Sequence, residues 1–245
     1  MNIVRFDSLE STNKYCEALD LAEVEDFTCY WALAQTAGIG QKGNHWEAEP
    51  GKNLTFSLIL HPTFLPADRQ FKLTEALSLG VVDFLKGLKD TNDLKVKWPN
   101  DIYVGGKKIC GTLISAHLST FHSPHSTLHS AVCGIGLNVN QVAFPDWVPN
   151  PTSLALLTGR QYDLEPLLQQ LLLCIKHRYS ALQSGLDPEP EYLERLLNLG
   201  VLARYKYMEE EITATITGVD PYGRLLLTTS DGRRLSCGMK EITLL

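Results

Sequence analysis

The stretch KWPNDIYVGGKKICG, Lys97 to Gly111, reverses direction twice and sets the architecture around it. The preceding LKVKW alternates apolar and charged residues as a strand does, and Pro99 to Asp101 reads as a turn. IYV and KKICGTLISAHL then form the arms of a hairpin closed by Gly105-Gly106, a pair suited to a two-residue turn whose central residues need positive φ. The hairpin carries Lys107 and Lys108 back along its second arm, so that one lysine can point toward whatever Asn100 and Asp101 flank. An acid, an amide and an amine then converge. A plainer reading makes Trp98 a core residue, Asp101 a turn residue and both lysines solvated.

Downstream, LHSAVCGIGLNVN supplies another long strand, joined to the hairpin by the polar loop HSPHSTLH. Upstream, IVRF is a short strand, a helix starts at Ser11 with Ser11 or Thr12 as its cap, FTCYWALAQ is a strand running through Ala34, and NLTFSLIL is another. Pro66 opens a helix with Phe71, Leu73, Leu77, Val81, Phe84, Leu85 and Leu88 on one face. A second apolar stripe follows Asp163, at Leu164, Leu167, Leu168, Leu171, Leu172, Ile175, Tyr179 and Leu182, and a further helix follows Pro190. The class is α+β, a mixed β-sheet with packed helices. Near Gly200 the texture changes: ITATITGV, RLLLTT and RRLSCG, separated by PYG and DGR turns, describe a small antiparallel barrel. The expected division is 1–199 and 200–245, with the small piece docked on the large one because it is marginal alone.

The 245 residues are 44% hydrophobic and 20% charged, as in ordinary globular proteins. Twenty-two basic against 28 acidic residues, with the basic ones scattered, disfavour a phosphate-tracking nucleic-acid surface, so no nucleic-acid partner is expected. No apolar run approaches the ~20 residues of a membrane helix, and MNIVRFDSLESTN is no signal peptide. Cys16, Cys29, Cys110, Cys133, Cys174 and Cys237 show no C-x-x-C spacing and mostly sit in apolar runs, so they read as reduced and the location as cytoplasmic. His117, His122, His125 and His129 lack cysteine or carboxylate support, which weighs against zinc, and His61 and His177 show no partner in sequence.

The second chemical stretch is AGIGQKGNHW, Ala37 to Trp46. Gly38, Gly40 and Gly43 free the backbone to form an anion nest, and Lys42 adds a charge, yet such a loop can equally just connect two strands. It is not a Walker A loop, and G-I-G-Q-K-G lacks the helix that a dinucleotide fingerprint needs.

Taken together, ESTN, Gln35 before the glycine loop ending in Trp46, KWPND, KKICG, GIGLNVN and the small C-terminal unit occur in an order and spacing that resembles the biotin protein ligases over almost the whole chain. The resemblance implies a class II aminoacyl-tRNA synthetase-like catalytic fold with an SH3-like C-terminal barrel. It implies formation of biotinyl-5′-AMP from biotin and ATP with Mg²⁺, then transfer to a lysine of a biotin carboxyl carrier protein, by a monomer or homodimer. The helix-turn-helix of the bifunctional repressor members has no counterpart here, so a ligase without operator binding is expected. By the same resemblance, Ser11, Thr12, Asn13 and Gln35 meet the ureido ring of biotin, and Gly111 and Leu113 line an apolar wall. Lys108 bridges the biotin carboxyl and the α-phosphate, with the amides of Ile39, Gly40 and Gln41 sharing the load. Gly38, Gly40, Lys42, Gly43, Trp46, Asn100 and Asn138 fall to the nucleotide, and Asn100 and Asp101 to the metal or the incoming amine.

The chain departs from the family in the glycine loop. Much of the family writes GRGRRGRxW, whereas Ile39 and Gln41 stand where arginines are usual and Asn44 replaces a third basic residue. Two charge-assisted contacts are lost, which predicts retained activity with a leakier adenylate. The competing readings are a lipoate or octanoate transferase of the same fold and a non-catalytic binding module.

Overall fold

The computed structural model describes residues 1–88, 91–119 and 126–245. In chain order, β1 (Ile3–Leu9), α1 (Thr12–Glu17), β2 (Thr28–Gln35), β3 (Leu54–Leu60), α2 (Phe71–Lys86), β4 (Leu94–Lys97), β5 (Asp101–Val104), β6 (Lys107–Leu118) and β7 (Leu128–Leu137) build the first part. Their strands make one seven-stranded sheet, ordered β1-β2-β3-β7-β6-β5-β4. Only β1 and β2 run parallel; the other neighbours are antiparallel. The Gly105-Gly106 turn has φ of 55° and 77° at its two positions, as the hairpin reading requires.

Side chains alternate across this sheet and divide it chemically. Cys29, Trp31, Leu58 and Cys133 join the main core, whereas their neighbours Tyr30, Ile59 and Val132 pack with Cys16 of α1 in a smaller cluster. The main core is covered by α2 and by α4 (Leu164–Gln183), which follows the short α3 (Leu154–Thr158). Asp163 caps α4 by accepting the Glu165 amide, and the whole apolar stripe expected from Leu164 to Leu182 is buried. The helices cross closely because Gly80 lacks a side chain: a Cβ there would lie 2.8 Å from Ile175 Cα. Then α5 (Glu189–Arg195) starts one residue before Pro190 rather than after it, placing the proline in the first turn where no amide is missed. Likewise Pro66 opens only a 3₁₀ turn, Ala67–Arg69, ahead of α2.

The last 45 residues hold a five-stranded antiparallel sheet, ordered β11-β10-β9-β8-β12. Three of its strands, β9 (Glu210–Val219), β10 (Leu225–Thr229) and β11 (Arg234–Cys237), match the alternating runs in the sequence; β8 (Leu202–Tyr207) and β12 (Ile242–Leu244) were not foreseen. The first is half exposed and interrupted by Arg204 and Lys206, and the second is three residues long. The six cysteines are free thiols, five of them buried, and burial pushes the Cys16 thiol up to about 12. Among the described residues no helix is long and apolar enough to cross a membrane.

Candidate active site

Two adjacent cross-strand rows leave part of the α1 face of the sheet bare. One runs Ala32, Thr55, Gly136, Gly111; the next runs Tyr30, Ser57, Gly134, Leu113. Three glycines and Thr55 therefore floor a cavity of about 580 Å³, a volume in the range of small-molecule sites, with Ser57 behind them. The bareness is used. A Cβ on Gly134 would fall 1.9 Å from Asn13 Oδ1, and one on Gly136 would fall 2.3 Å from the Trp46 ring.

At one end, the start of α1 presents a buried polar cluster. Ser11 occupies the N-cap position, but its side chain makes no capping hydrogen bond. Gln35 Oε1 accepts from the Thr12 amide at 2.7 Å and from its hydroxyl at 3.1 Å, which leaves the Gln35 Nε2 donor on the side of Gly38. Ser57 Oγ lies 2.8 Å from Thr12 Oγ1 and 2.6 Å from Asn13 Oδ1, and Asn13 Nδ2 donates to the Leu113 carbonyl at 3.4 Å. Ser11, Thr12 and Asn13 are all buried. A pocket end with fixed, uncharged donors and acceptors selects a neutral polar ring and rejects a bare alkyl chain, which would leave these groups unpaired.

At the other end stands a cation. Pairing of β5 with β6 slips between Ile102 and Tyr103, so that Ile109 and Cys110 both enter the core. This bulge puts Lys108 on the same face as Gly111 and Leu113, which strict alternation from residue 111 would forbid. Lys108 Nζ pairs with Asp101 Oδ2 at 2.7 Å and sits 5.7 Å from the Trp46 ring centroid. Its backbone is pinned from outside the hairpin: its amide donates to Asn150 O at 2.7 Å, and its carbonyl accepts from Thr152 N at 2.8 Å. The neighbouring Cys110 offers no nucleophile, since burial drives its thiol pKa up, the Asp101 charge adds to this, and only Lys108 opposes it. Burial similarly pushes Tyr103 up to about 12.

The glycine loop closes the cavity as a miniature hairpin. Gly40 N donates to Asn44 O at 2.7 Å, Trp46 N donates to Gly38 O at 3.0 Å, and Ile39 pairs with His45. The glycines at 38 and 43 are needed for this: a Cβ on Gly38 would meet the Trp46 carbonyl at 2.6 Å, and Gly43 has φ of 82°. This corrects the expectation of a nest formed by the amides of residues 39 to 41, because the Gly40 amide is spent inside the loop. Facing it, the segment after β7 brings Phe144 and Trp147 to the cavity, with the largely exposed Trp147 ring 6.3 Å from His45.

Of the residues expected at a site, Ser11, Thr12, Asn13, Gln35, Ile39, Gly40, Gln41, Gly43, Trp46, Asp101, Lys108, Gly111, Leu113 and Asn138 line this cavity. Gly38 shapes the loop from behind, and the side chain of Lys42 lies outside the described residues. Asn100 does not reach the cavity. It is buried with its amide donating to Thr112 O at 2.6 Å, so it braces β6 rather than meeting a metal or an amine. Asn138 Nδ2 donates to Thr152 O at 3.0 Å; its Oδ1 and Trp46 Nε1 are buried without a protein hydrogen-bond partner. Among the described residues lining the cavity, Lys108 is the only lysine or arginine.

Sequence reasoning missed Ser57, Gly134, Gly136, Trp147 and the Asn150–Thr152 clamp on the Lys108 backbone. The glycines had a signal, since G-I-G within a strand puts two bare positions on one face. Trp147, set between prolines in FPDWVPNP, had another. Of the four histidines in this region, His122 and His125 lie outside the described residues, His117 is on β6 and sits 3.0 Å from Glu17, and His129 is on β7. Among the described residues no group of three or more His, Cys, Asp or Glu is placed to hold a metal. His61 does have partners: its Nε2 is 2.9 Å from Val24 O, and its ring meets His129 edge-on.

Residues 5–138 match the Biotin/lipoate A/B protein ligase family. The chain is 31% identical over 238 residues to the bifunctional ligase/repressor BirA of Bacillus subtilis, covering 94% of this chain and 70% of that protein. It is 30% identical over 240 residues to the biotin–[acetyl-CoA-carboxylase] ligase of Paracoccus denitrificans, covering 92% and 94%. Its fold superposes on the biotin protein ligase from Aquifex aeolicus in complex with biotin and ATP with a TM-score of 0.80, at 26% identity, covering 100% of this chain and 98% of that one.

Proposed function

Because the chain belongs to the Biotin/lipoate A/B protein ligase family, we propose that it activates biotin with ATP as biotinyl-5′-AMP and transfers the biotinyl group to a lysine of a biotin carboxyl carrier protein. One observation carries this reading. A single cavity joins a neutral polar cluster (Ser11, Thr12, Asn13, Gln35) to one cation, Lys108, across an apolar glycine floor. Biotin has that shape: a ureido ring, an aliphatic chain and a terminal carboxylate.

In the first step a biotin carboxylate oxygen attacks the α-phosphorus and pyrophosphate leaves. Two anions must approach, and an ammonium between them is worth about 4 kcal/mol per unit charge at 4 Å in a partly solvated site. Lys108 supplies that charge, held ready by Asp101 and by its doubly pinned backbone. In the second step the neutral acceptor amine attacks the carbonyl of the mixed anhydride, the bond from that carbon to the phosphate oxygen breaks so that AMP leaves, and the proton lost by the nitrogen passes to solvent. Asp101, a quarter exposed at the cavity, is the residue we assign to orient that amine. The unpartnered Asn138 Oδ1 and Trp46 Nε1 offer an acceptor and a donor to the nucleotide, and Trp147 offers a flat ring face.

Mg²⁺ belongs to this proposal as the companion of the ATP phosphates, where it screens their charge. The cavity carboxylates, Asp101 and Glu47, suit an ion held mainly by phosphates and water. The free thiols fit a cytoplasmic location. We assign 1–199 to catalysis and 200–245 to the appended SH3-like unit. Pyrophosphate–ATP exchange with biotin, lipoate, octanoate or no acid tests the assignment. Biotin-dependent exchange is expected; exchange with lipoate alone would move the substrate to lipoate, and none with any acid would end the ligase reading.

A further inference from the structure

Gln141 touches neither the cavity nor the Lys108 hairpin, yet it joins the two segments that flank the cavity. Its side chain is buried. Its Oε1 accepts from the Glu49 amide at 3.0 Å and from Asn53 Nδ2 at 2.5 Å, and its Nε2 donates to Ala143 O at 2.9 Å. Asn53 returns the contact by accepting the Val139 amide at 2.9 Å, and the Asn140 amide donates to Lys52 O at 2.7 Å. Four hydrogen bonds thus latch the turn after the glycine loop to the segment leaving β7, and the fifth, to Ala143 O, fixes the Gln141 side chain within its own segment. On one side the latch lies three residues from Trp46; on the other it lies three residues from Phe144 and six from Trp147.

We infer that Gln141 is a positioning residue that sets the gap between the glycine loop and the Phe144–Trp147 segment, so that both close over the nucleotide as one unit. Two walls hung from one buried latch share its position, and a buried acceptor serving two donors cannot shift without leaving one unpaired. Biotin's polar end is held by α1 and Gln35, which the latch does not touch. The effect is therefore directed at ATP and at retention of the adenylate. This rests on the ligase reading for its substrates but not for its geometry.

The test compares wild type, Gln141→Met, which keeps length and loses both polar groups, and Gln141→Glu, which keeps the shared acceptor. In pyrophosphate exchange, Q141M is expected to raise KM for ATP about tenfold or more while KM for biotin moves less than twofold, and Q141E is expected to recover most of the loss. Equal shifts in both KM values, or a fall in kcat alone, would reduce Gln141 to a packing role and overturn the inference. Hydrogen exchange without ligand gives a readout that survives failure of the ligase reading. Q141M should speed exchange in residues 47–53 and 142–149 together, with α4 unchanged. Acceleration of one segment only, of neither, or of α4 as well would overturn the shared latch.

Discussion

Lys108 and Asp101 face each other across the β5/β6 hairpin, Nζ 2.7 Å from Oδ2, each about a quarter exposed at the cavity. The pair is partly solvated, so it holds the ammonium in place without neutralising it beyond use. Replacing Lys108 with alanine is expected to cost 10²–10³-fold in pyrophosphate exchange, as loss of a preorganised charge typically does (roughly 3–4 kcal/mol). Lys108→Arg should recover only part, because a planar fork does not replace a point charge. Asp101→Asn should impair transfer to the carrier more than exchange, measured by comparing the two half-reactions.

The glycine floor predicts two different defects from two similar substitutions. Gly134→Ala collides with Asn13 Oδ1 and should raise KM for biotin, whereas Gly136→Ala displaces the Trp46 ring and should raise KM for ATP. Each should also cost about 1–3 kcal/mol of stability through overpacking. Calorimetric titration with biotin and with ATP separately checks the split.

With Ile39 and Gln41 in the loop and Lys108 the only lysine or arginine among the described cavity residues, the adenylate should escape faster than from an arginine-bearing relative. Gln41→Arg should slow spontaneous release of biotinyl-AMP, followed by trapping radiolabelled product from a single turnover. Release as slow in wild type as in Q41R would count against this.

Glu75 makes stability depend on pH. Burial raises its carboxyl from 4.5 to about 7, although Lys72 at 3.3 Å opposes the shift. Between those values the folded chain keeps a proton that the unfolded chain has released. Stability therefore falls as pH rises through this window, by up to about 3 kcal/mol, and the loss is complete above pH 7. Asp187 and Glu191 act in the opposite sense at lower pH: their depressed carboxyls stabilise above the unfolded range, and that contribution disappears as acid protonates them. Urea denaturation from pH 5 to 8 should show the decline in wild type and a flatter profile in Glu75→Gln.

Much of this was legible before any coordinates. The hairpin, the two long helical stripes and the polar start of α1 each carry a local signal, in turn glycines, a 3.6-residue period, or small polar residues before a short helix. What stayed hidden depends on register. Ser57 meets Gly134 only because β3 pairs with β7 in one alignment, and Lys108 faces the cavity only because of a bulge that no propensity records. The Gly40 amide was assigned outward because a glycine-rich stretch does not announce that its bonds close on itself.

The small sheet shares the main hydrophobic core with the large part, and the two approach closely at residue 223. Trp98 Nε1 donates to Gly223 O at 3.0 Å, and a Cβ at residue 223 would fall 2.4 Å from the Phe71 ring. Trp98 lies three residues before Asp101. The two parts are consequently not interchangeable cassettes. A chimera that grafts a relative's C-terminal 45 residues onto this chain must bring a glycine, or matched small packing, at residue 223. Otherwise the graft will disturb the strand that carries Asp101, without altering any residue that lines the cavity.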